Sequence, residues 1–200
     1  MCAARAVRRH SLHHESIQLH DQIVSKTVDI AVRVRNMPAL KAVLADIAGR
    51  KAVDATYHLG DLVGYAPWPN DTVQLLREFN VPGVAGNYDS TVASDYKHCG
   101  CKYEDPRQEE LSHLSFEWTR RHTSAEVKQF LGALPFRIDL RPVGGHVAGP
   151  TVMLLHGNQV LNTVYVHEDR PDNFLEKMGQ ATGPEMSSVS VIRINPGTAS

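Results

Sequence analysis

Cysteine is scarce. The chain carries three, Cys2, Cys99 and Cys101, among 200 residues. That is too few for a disulfide framework, so a reducing compartment, the cytoplasm, is the expected location. An excess of charge of one sign is also missing. Lys and Arg number 21 against 22 Asp and Glu, a formal net charge of -1. No global basic field points to nucleic acid, and no acidic tail points to a charged partner. Long apolar runs are absent as well. The longest, such as Thr151–Leu155, have the length of a strand, far below the ~20 residues that cross a bilayer. No apolar stretch of secretory-signal type opens the chain, and no repeat or low-complexity tract interrupts it. What is present is ordinary: 42% hydrophobic and 22% charged residues. A chain of this length buries a sizeable core, which excludes collagen-like, wholly disordered and coiled-coil classes.

Residues 1–26 read as a leader outside the fold, disordered or wrongly started. The first twenty residues hold Arg5, Arg8, Arg9, His10, His13, His14 and His20 with Glu15 the only acid, and they show no apolar period. Residues 27–200 read as a single domain, C-terminally incomplete. Within it, residues 28–34 are β-branched and alternate, a strand. Asn36 and Pro38 then open a helix with Leu40, Val43, Leu44 and Ile47 at helical spacing, ended by Gly49. Residues 52–59 predict a second strand. Asn70 and Asp71 are expected to cap a helix through Phe79, and residues 81–85 a third strand. Strand, helix, strand, helix, strand argues for an α/β fold with a mainly parallel sheet. Further on, Asp105-Pro106 starts a helix to about His122, with Leu111, Leu114 and Trp118 expected in the core. Ser124 caps another helix. Strands are expected over 136–140, 151–155 and 187–194, with a helix around 172–180.

Three short strings share one design, an apolar strand ending in a metal-competent side chain beside a glycine. They are His58-Leu59-Gly60-Asp61, Val84-Ala85-Gly86-Asn87-Tyr88-Asp89 and Leu154-Leu155-His156-Gly157. Glycine lets the backbone turn sharply and leaves room for an ion or a phosphate. Asp offers a hard anionic oxygen able to bridge two cations, Asn a neutral carbonyl oxygen, and His a nitrogen suited to Mn, Fe, Ni, Co or Zn. In open α/β sheets the carboxyl ends of strands are where ligands bind. A mixed shell of this kind fits two-metal hydrolysis. Singly, each string also fits a turn or a hydrogen-bonded core histidine.

Together these strings resemble the second, third and fourth signatures of the calcineurin-like metallophosphoesterases. The longer run Tyr57-His58-Leu59-Gly60-Asp61-Leu62-Val63-Gly64-Tyr65, with Pro67 and Pro69-Asn70, resembles the small bacterial branch of that superfamily. The resemblance covers roughly residues 28–195. It implies a two-sheet sandwich flanked by helices, with a dinuclear site of two divalent ions at the strand ends. By it, Asp61 would bridge the ions, and Asn87 and His156 would each bind one. All three would serve catalysis, with Tyr88 and Asn36 as lesser substrate contacts. The implied activity is metal-dependent hydrolysis of a phosphomonoester, phosphodiester or nucleotide polyphosphate, with Mn among the fitting ions and a phosphorylated small molecule or nucleotide as partner. Where some relatives carry a His after the Asn, this chain has Tyr88, a poor acid near neutral pH because an ordinary phenol titrates near 10.

Two departures stand against full activity. The family opens with Asp-x-His-x-Asn, and the matching place reads Val32-Arg33-Val34-Arg35-Asn36. The Asp and His are missing, and Arg33 and Arg35 bring positive charge where a cation belongs. The family closes with Gly-His-x-His, and the only His after His156 is His167. Permitted codons for residues 190–198, TCG GTC ATA CGC ATA AAC CCT GGC ACC, read from their third base as Gly-His-Thr-His-Lys-Pro-Trp-His. The chain is therefore read as leaving its ancestral frame between Thr182 and Ser190, through a real frameshift or an error in the sequence. Three ligands for two ions predict weak metal binding and little turnover, and an unpaired sheet edge after the last strand predicts aggregation.

The alternative is a non-catalytic remnant that binds phosphate ligands or a protein partner. A weaker third reading is a zinc-binding module built on His98, Cys99 and Cys101. Cys-x-Cys with one His falls short of the four ligands a closed zinc site needs. Lys97, Lys102, Arg107, Arg120 and Arg121 are scattered charges, and Trp68 is expected as a partly buried anchor rather than a base-stacking platform.

Overall fold

The structure is a computed structural model that describes residues 27–30, 35–51, 53, 55–101, 103, 105–140, 151–163, 171–181 and 186–191. The expected leader, Arg33, His167 and residues 192–200 lie outside the described residues.

Local signals set the elements in place. Strand β1 (Thr27–Ile30) pairs in parallel with β2 (Ala55–His58), Ile30 opposite His58. Helix α1 (Met37–Gly49) joins them. Asn36 caps it, its side chain accepting the Ala39 amide at 3.1 Å, and Pro38 stands in the first turn. Leu40 and Leu44, four residues apart, bury its inner face. Helix α2 (Pro69–Glu78) starts earlier than Asn70 and Asp71 suggested, so these two residues lie in its first turn. Trp68 is its cap residue and gives no side-chain bond. Asn70 instead ties two elements together. Its amide donates to the His122 carbonyl and its oxygen accepts from the Ser124 amide, each at 2.9 Å.

The expected strand over 81–85 shrinks to one bridge between Gly83 and His58. Pro82 has no N–H to continue a ladder. The Ala85 amide turns away to the Pro135 carbonyl at 2.8 Å. The chain then enters a short helix that periodicity did not disclose, α3 (Asn87–Ala93). Helix α4 (Pro106–His122) is capped by Asp105, and α5 (Ala125–Gly132) by Ser124, as their sequences predict. The face of α4 differs from expectation. Ser112, Phe116 and Thr119 are buried, whereas Leu111, Leu114 and Trp118 are exposed. Both stripes have helical spacing. The winning one offers small residues on either side of Phe116, so the helix approaches the core closely.

A second sheet holds β3 (Arg137–Leu140), β4 (Thr151–Leu155) and β5 (Met186–Val191). β3 runs antiparallel to β4, and β5 parallel to it. Helix α6 (Asp172–Ala181) precedes β5. The first sheet is parallel, as the alternation over residues 27–89 implies, and the second is mixed, with one antiparallel and one parallel pairing. Two apolar clusters form the core. The larger packs Leu40, Leu44, Leu62, Val63, Val73, Leu76 and Phe116 among others. The smaller joins Leu59 and Val84 to Val152 and Leu154, with Tyr57, Ile138 and Leu140 against them. Each such side chain contributes about 1.5–3 kcal/mol when fully buried. The smaller cluster positions the site: Leu59, Val84 and Leu154 each lie within three residues of Asp61, Asn87 or His156, so burying them draws these three segments together.

Candidate functional site

Asp61 follows β2 through two turning residues. Gly60 has φ +89° and Asp61 itself φ +56°. A left-handed conformation at Asp costs about 1–2 kcal/mol and is held by its surroundings. Those surroundings are backbone. The Tyr88 amide donates to Asp61 Oδ1 at 3.1 Å. Gly86 lies so close that an added Cβ would overlap the Asp61 amide and carboxylate. Behind it, Asp89 accepts from the Gly86 amide at 2.9 Å and the Leu62 amide at 2.8 Å. Burial and the neighbouring Asp61 push the Asp89 carboxyl up to about 6.

Asn87 opens α3 and is 1% exposed. Its Nδ2 donates to the Cys99 carbonyl at 3.0 Å and to Cys101 Sγ at 3.2 Å. These bonds assign the amide's orientation and turn Oδ1 toward His156 Nε2, 3.2 Å away. His156 follows β4. Its Nδ1 lies 2.7 Å from the Leu59 carbonyl, which can only accept. Nδ1 therefore carries the hydrogen, and in the neutral ring Nε2 presents a lone pair. That nitrogen lies 3.5 Å from Asp61 Oδ1. Two oxygens thus lie close to one nitrogen, Asn87 Oδ1 and Asp61 Oδ1 about His156 Nε2.

The donor set fits one divalent ion. Ligand bonds of about 2.0–2.2 Å place neighbouring donors roughly 3.0–3.5 Å apart, matching the separations seen. Among the described residues no second set of donors stands beside it. The other oxygen, Asp61 Oδ2, faces the Arg35 guanidinium at 3.7 Å. Among the described residues no group of three His, Cys, Asp or Glu side chains could hold a metal ion, since the converging set counts an amide as its third member.

That result also removes the zinc module. His98 is exposed and packs edge-on against Tyr96 at 5.1 Å, so it does not close a set with Cys99 and Cys101. The two cysteines have another role, holding Asn87. Hydrogen bonding from Cys101 brings the Cys99 thiol down to about 6, and the same contact pushes the Cys101 thiol up. They line a cavity of about 230 Å³ with Tyr103, Glu109 and His113. Sequence reasoning singled out the Cys-x-Cys string but not this use of it.

Tyr88 is 1% exposed, its ring between Tyr65 and Phe116 at 5.1 and 5.5 Å. Burial pushes its hydroxyl well above the ordinary phenol range. Asn36 stands on the surface at the start of α1. The structure thus gathers Asp61, Asn87 and His156, sets Tyr88 beneath them and leaves Asn36 apart. Arg35 joins the site although the sequence marked it only as misplaced charge. Of the other basic residues, Arg107, Arg120 and Arg121 pair with Glu110 and Glu117. Trp68 is partly buried.

Asp61, Asn87 and His156 thus converge at one edge of an α/β frame, the place where such folds bind ligands. The profile of the calcineurin-like phosphoesterases matches residues 12–186, and the chain belongs to that family of metallophosphoesterase hydrolases. It is similar to the uncharacterized protein MJ0912 of Methanocaldococcus jannaschii, at 33% identity over 127 residues, covering 62% of this chain and 45% of that protein. Among solved structures it is similar to a metallophosphoesterase from Sphaerobacter thermophilus, at 31% identity and TM-score 0.48, covering 72% of this chain and 51% of the other. It is also similar to hypothetical protein PH1004 from Pyrococcus horikoshii OT3, at 18% identity and TM-score 0.61, covering 84% and 68%. The last likeness concerns the fold. The chain spans about half the length of the curated relative. Among the described residues no helix is long and apolar enough to cross a membrane.

Proposed function

We propose that the chain hydrolyses phosphoesters at Asp61, Asn87 and His156, using one divalent ion, with Mn²⁺ a fitting choice, in the cytoplasm. The observation that carries this reading is the convergence of Asn87 Oδ1 and Asp61 Oδ1 on His156 Nε2, at 3.2 and 3.5 Å, each side chain delivered by a different segment of the chain. Asp61 Oδ1, Asn87 Oδ1 and His156 Nε2 would hold the ion, which when bound supplies Lewis-acid polarisation of the phosphoryl group. The protein's own part is positional. Leu59 fixes the His156 tautomer, Cys99 fixes the Asn87 amide, and the Tyr88 amide fixes the Asp61 carboxylate. Outer partners of this kind change metal affinity or activity by roughly 10–100-fold. Tyr88 keeps its proton and adds no acid catalysis. Substrates of the class are phosphorylated small molecules or nucleotides.

The missing Asp-x-His and Gly-His-x-His ligands support a second reading, phosphate binding without turnover. Hydrolysis of p-nitrophenyl phosphate and its bis-ester with added Mn²⁺ separates the two. Slow, Mn²⁺-dependent hydrolysis that disappears in Asp61→Ala is expected. Equal rates in Asp61→Ala would place the chemistry elsewhere, and no turnover in either protein would leave the binding reading.

A further inference from the structure

We infer that Arg35 takes the place of the second cation, its guanidinium forming a permanent binding site for a phosphoryl oxyanion beside the one-ion site. This rests on the phosphoester reading and names the group that grips the substrate's phosphate.

Four observations carry it. Arg35 Nη2 stands 3.7 Å from Asp61 Oδ2. A closed guanidinium–carboxylate bond measures about 2.7–2.9 Å, so Asp61 attracts Arg35 without using up its donors. Arg35 Nη1 is buried and has no hydrogen-bond partner. A buried charged donor lacking an acceptor is expensive, and an oxyanion is the acceptor that a guanidinium fork best matches. The side chain as a whole is 17% exposed, which puts it at the boundary between interior and surface. Finally, the guanidinium lies over the rings of Tyr65 and Tyr88, its carbon 5.0 and 5.8 Å from their centroids. Stacking holds the plane in place through its faces and leaves the N–H edge for a ligand.

Simple neutralisation of Asp61 explains less. It predicts a closed ion pair and says nothing of the unpartnered Nη1. A second metal ion is also disfavoured at Oδ2, where it would meet a fixed positive charge.

Inorganic phosphate titrated into the full chain, with and without Mn²⁺, tests the assignment by calorimetry. In EDTA the wild type is expected to bind phosphate, and Arg35→Gln to bind it about tenfold or more weakly. Arg35→Lys, which keeps the charge but loses the fork, should fall between. Circular dichroism establishes that each variant is folded. Phosphate bound only when Mn²⁺ is present, with equal affinity in wild type and Arg35→Gln, would overturn the role of Arg35 and leave the phosphoester reading intact. No binding to wild type under either condition would also overturn it, and the hydrolysis assay then decides the phosphoester reading on its own. Should Arg35→Gln unfold, the wild-type titration in EDTA and Arg35→Lys still decide.

Discussion

The two oxygens of the Asp61 carboxylate look onto regions built in different ways. On the Oδ1 side, each donor has a main-chain anchor: His156 the Leu59 carbonyl, Asn87 the Cys99 carbonyl beside the Cys101 thiol, Asp61 the Tyr88 amide. On the Oδ2 side, a single long side chain, Arg35, is laid over two tyrosine rings. The first region follows the family's motifs, and the second is where this chain departs from them. The contrast shows how position and charge can be supplied separately. Backbone anchoring gives the fixed geometry that an ion demands. A guanidinium brings charge that needs no ligand shell.

The largest disturbance should come from breaking the backbone frame of the first region. Gly86→Ala would drive a methyl group into the Asp61 amide and carboxylate, neither of which can move independently of the Gly60 turn. We expect a loss of roughly 3 kcal/mol or more, read as a fall in the urea midpoint. An unchanged midpoint would show that the frame yields.

A pH series sharpens the same side. His58 ends β2, buried beneath Gly83, and its Nδ1 accepts from the Gly60 amide at 3.4 Å. Desolvation lowers its titration to about 4, against an ordinary value near 6.5. The folded state thus keeps His58 neutral while the unfolded chain takes up a proton. Its contribution is fully present above about pH 6.5 and is lost as pH falls toward 4, up to roughly 3 kcal/mol. Asp89, raised to about 6, acts with the opposite sign over much of that window. The comparison is therefore wild type against His58→Asn, in which the Asp89 part cancels. The variant should lose stability less steeply below pH 6.5, and parallel curves would contradict the burial argument.

The smallest effect probes the link between Asn87 and its support. Cys101→Ala removes one of two acceptors of Asn87 Nδ2 and leaves the Cys99 carbonyl. Mn²⁺ affinity should fall by roughly tenfold with the fold intact. No change would mean that the carbonyl alone orients the amide.

Much of the frame was legible because its signals are local. Asn36 with Pro38, Asp105 with Pro106, and Ser124 mark helix starts whose chemistry is complete within one turn, and Thr151–Leu155 is a strand bounded as the sequence suggests. The reading failed where distant contacts choose. On α4 the apolar stripe Leu111, Leu114 and Trp118 loses to a face of Ser112, Phe116 and Thr119, which the core selects. At residues 81–85 Pro82 interrupts the ladder, and the amide of Ala85 finds Pro135 instead. Helix α3 does carry a local signal, since Asp89 stands three residues after Gly86 and closes its amide. In the site, Asp61, Asn87 and His156 were legible through their neighbouring glycines. Arg35 was visible only as a misplaced charge, because its contact joins residues far apart in the chain. The use of Cys99 and Cys101 as supports for Asn87 likewise depends on a turn whose geometry no local pattern specifies.

The central claim is that this site takes one metal ion where its family uses two. The direct test is to equilibrate the full chain with excess Mn²⁺, remove free ion by dialysis, and measure bound metal by mass spectrometry and electron paramagnetic resonance. The account predicts a single Mn²⁺ per chain with the spectrum of an isolated ion, absent in Asp61→Ala. Two ions per chain with a coupled spectrum would contradict it.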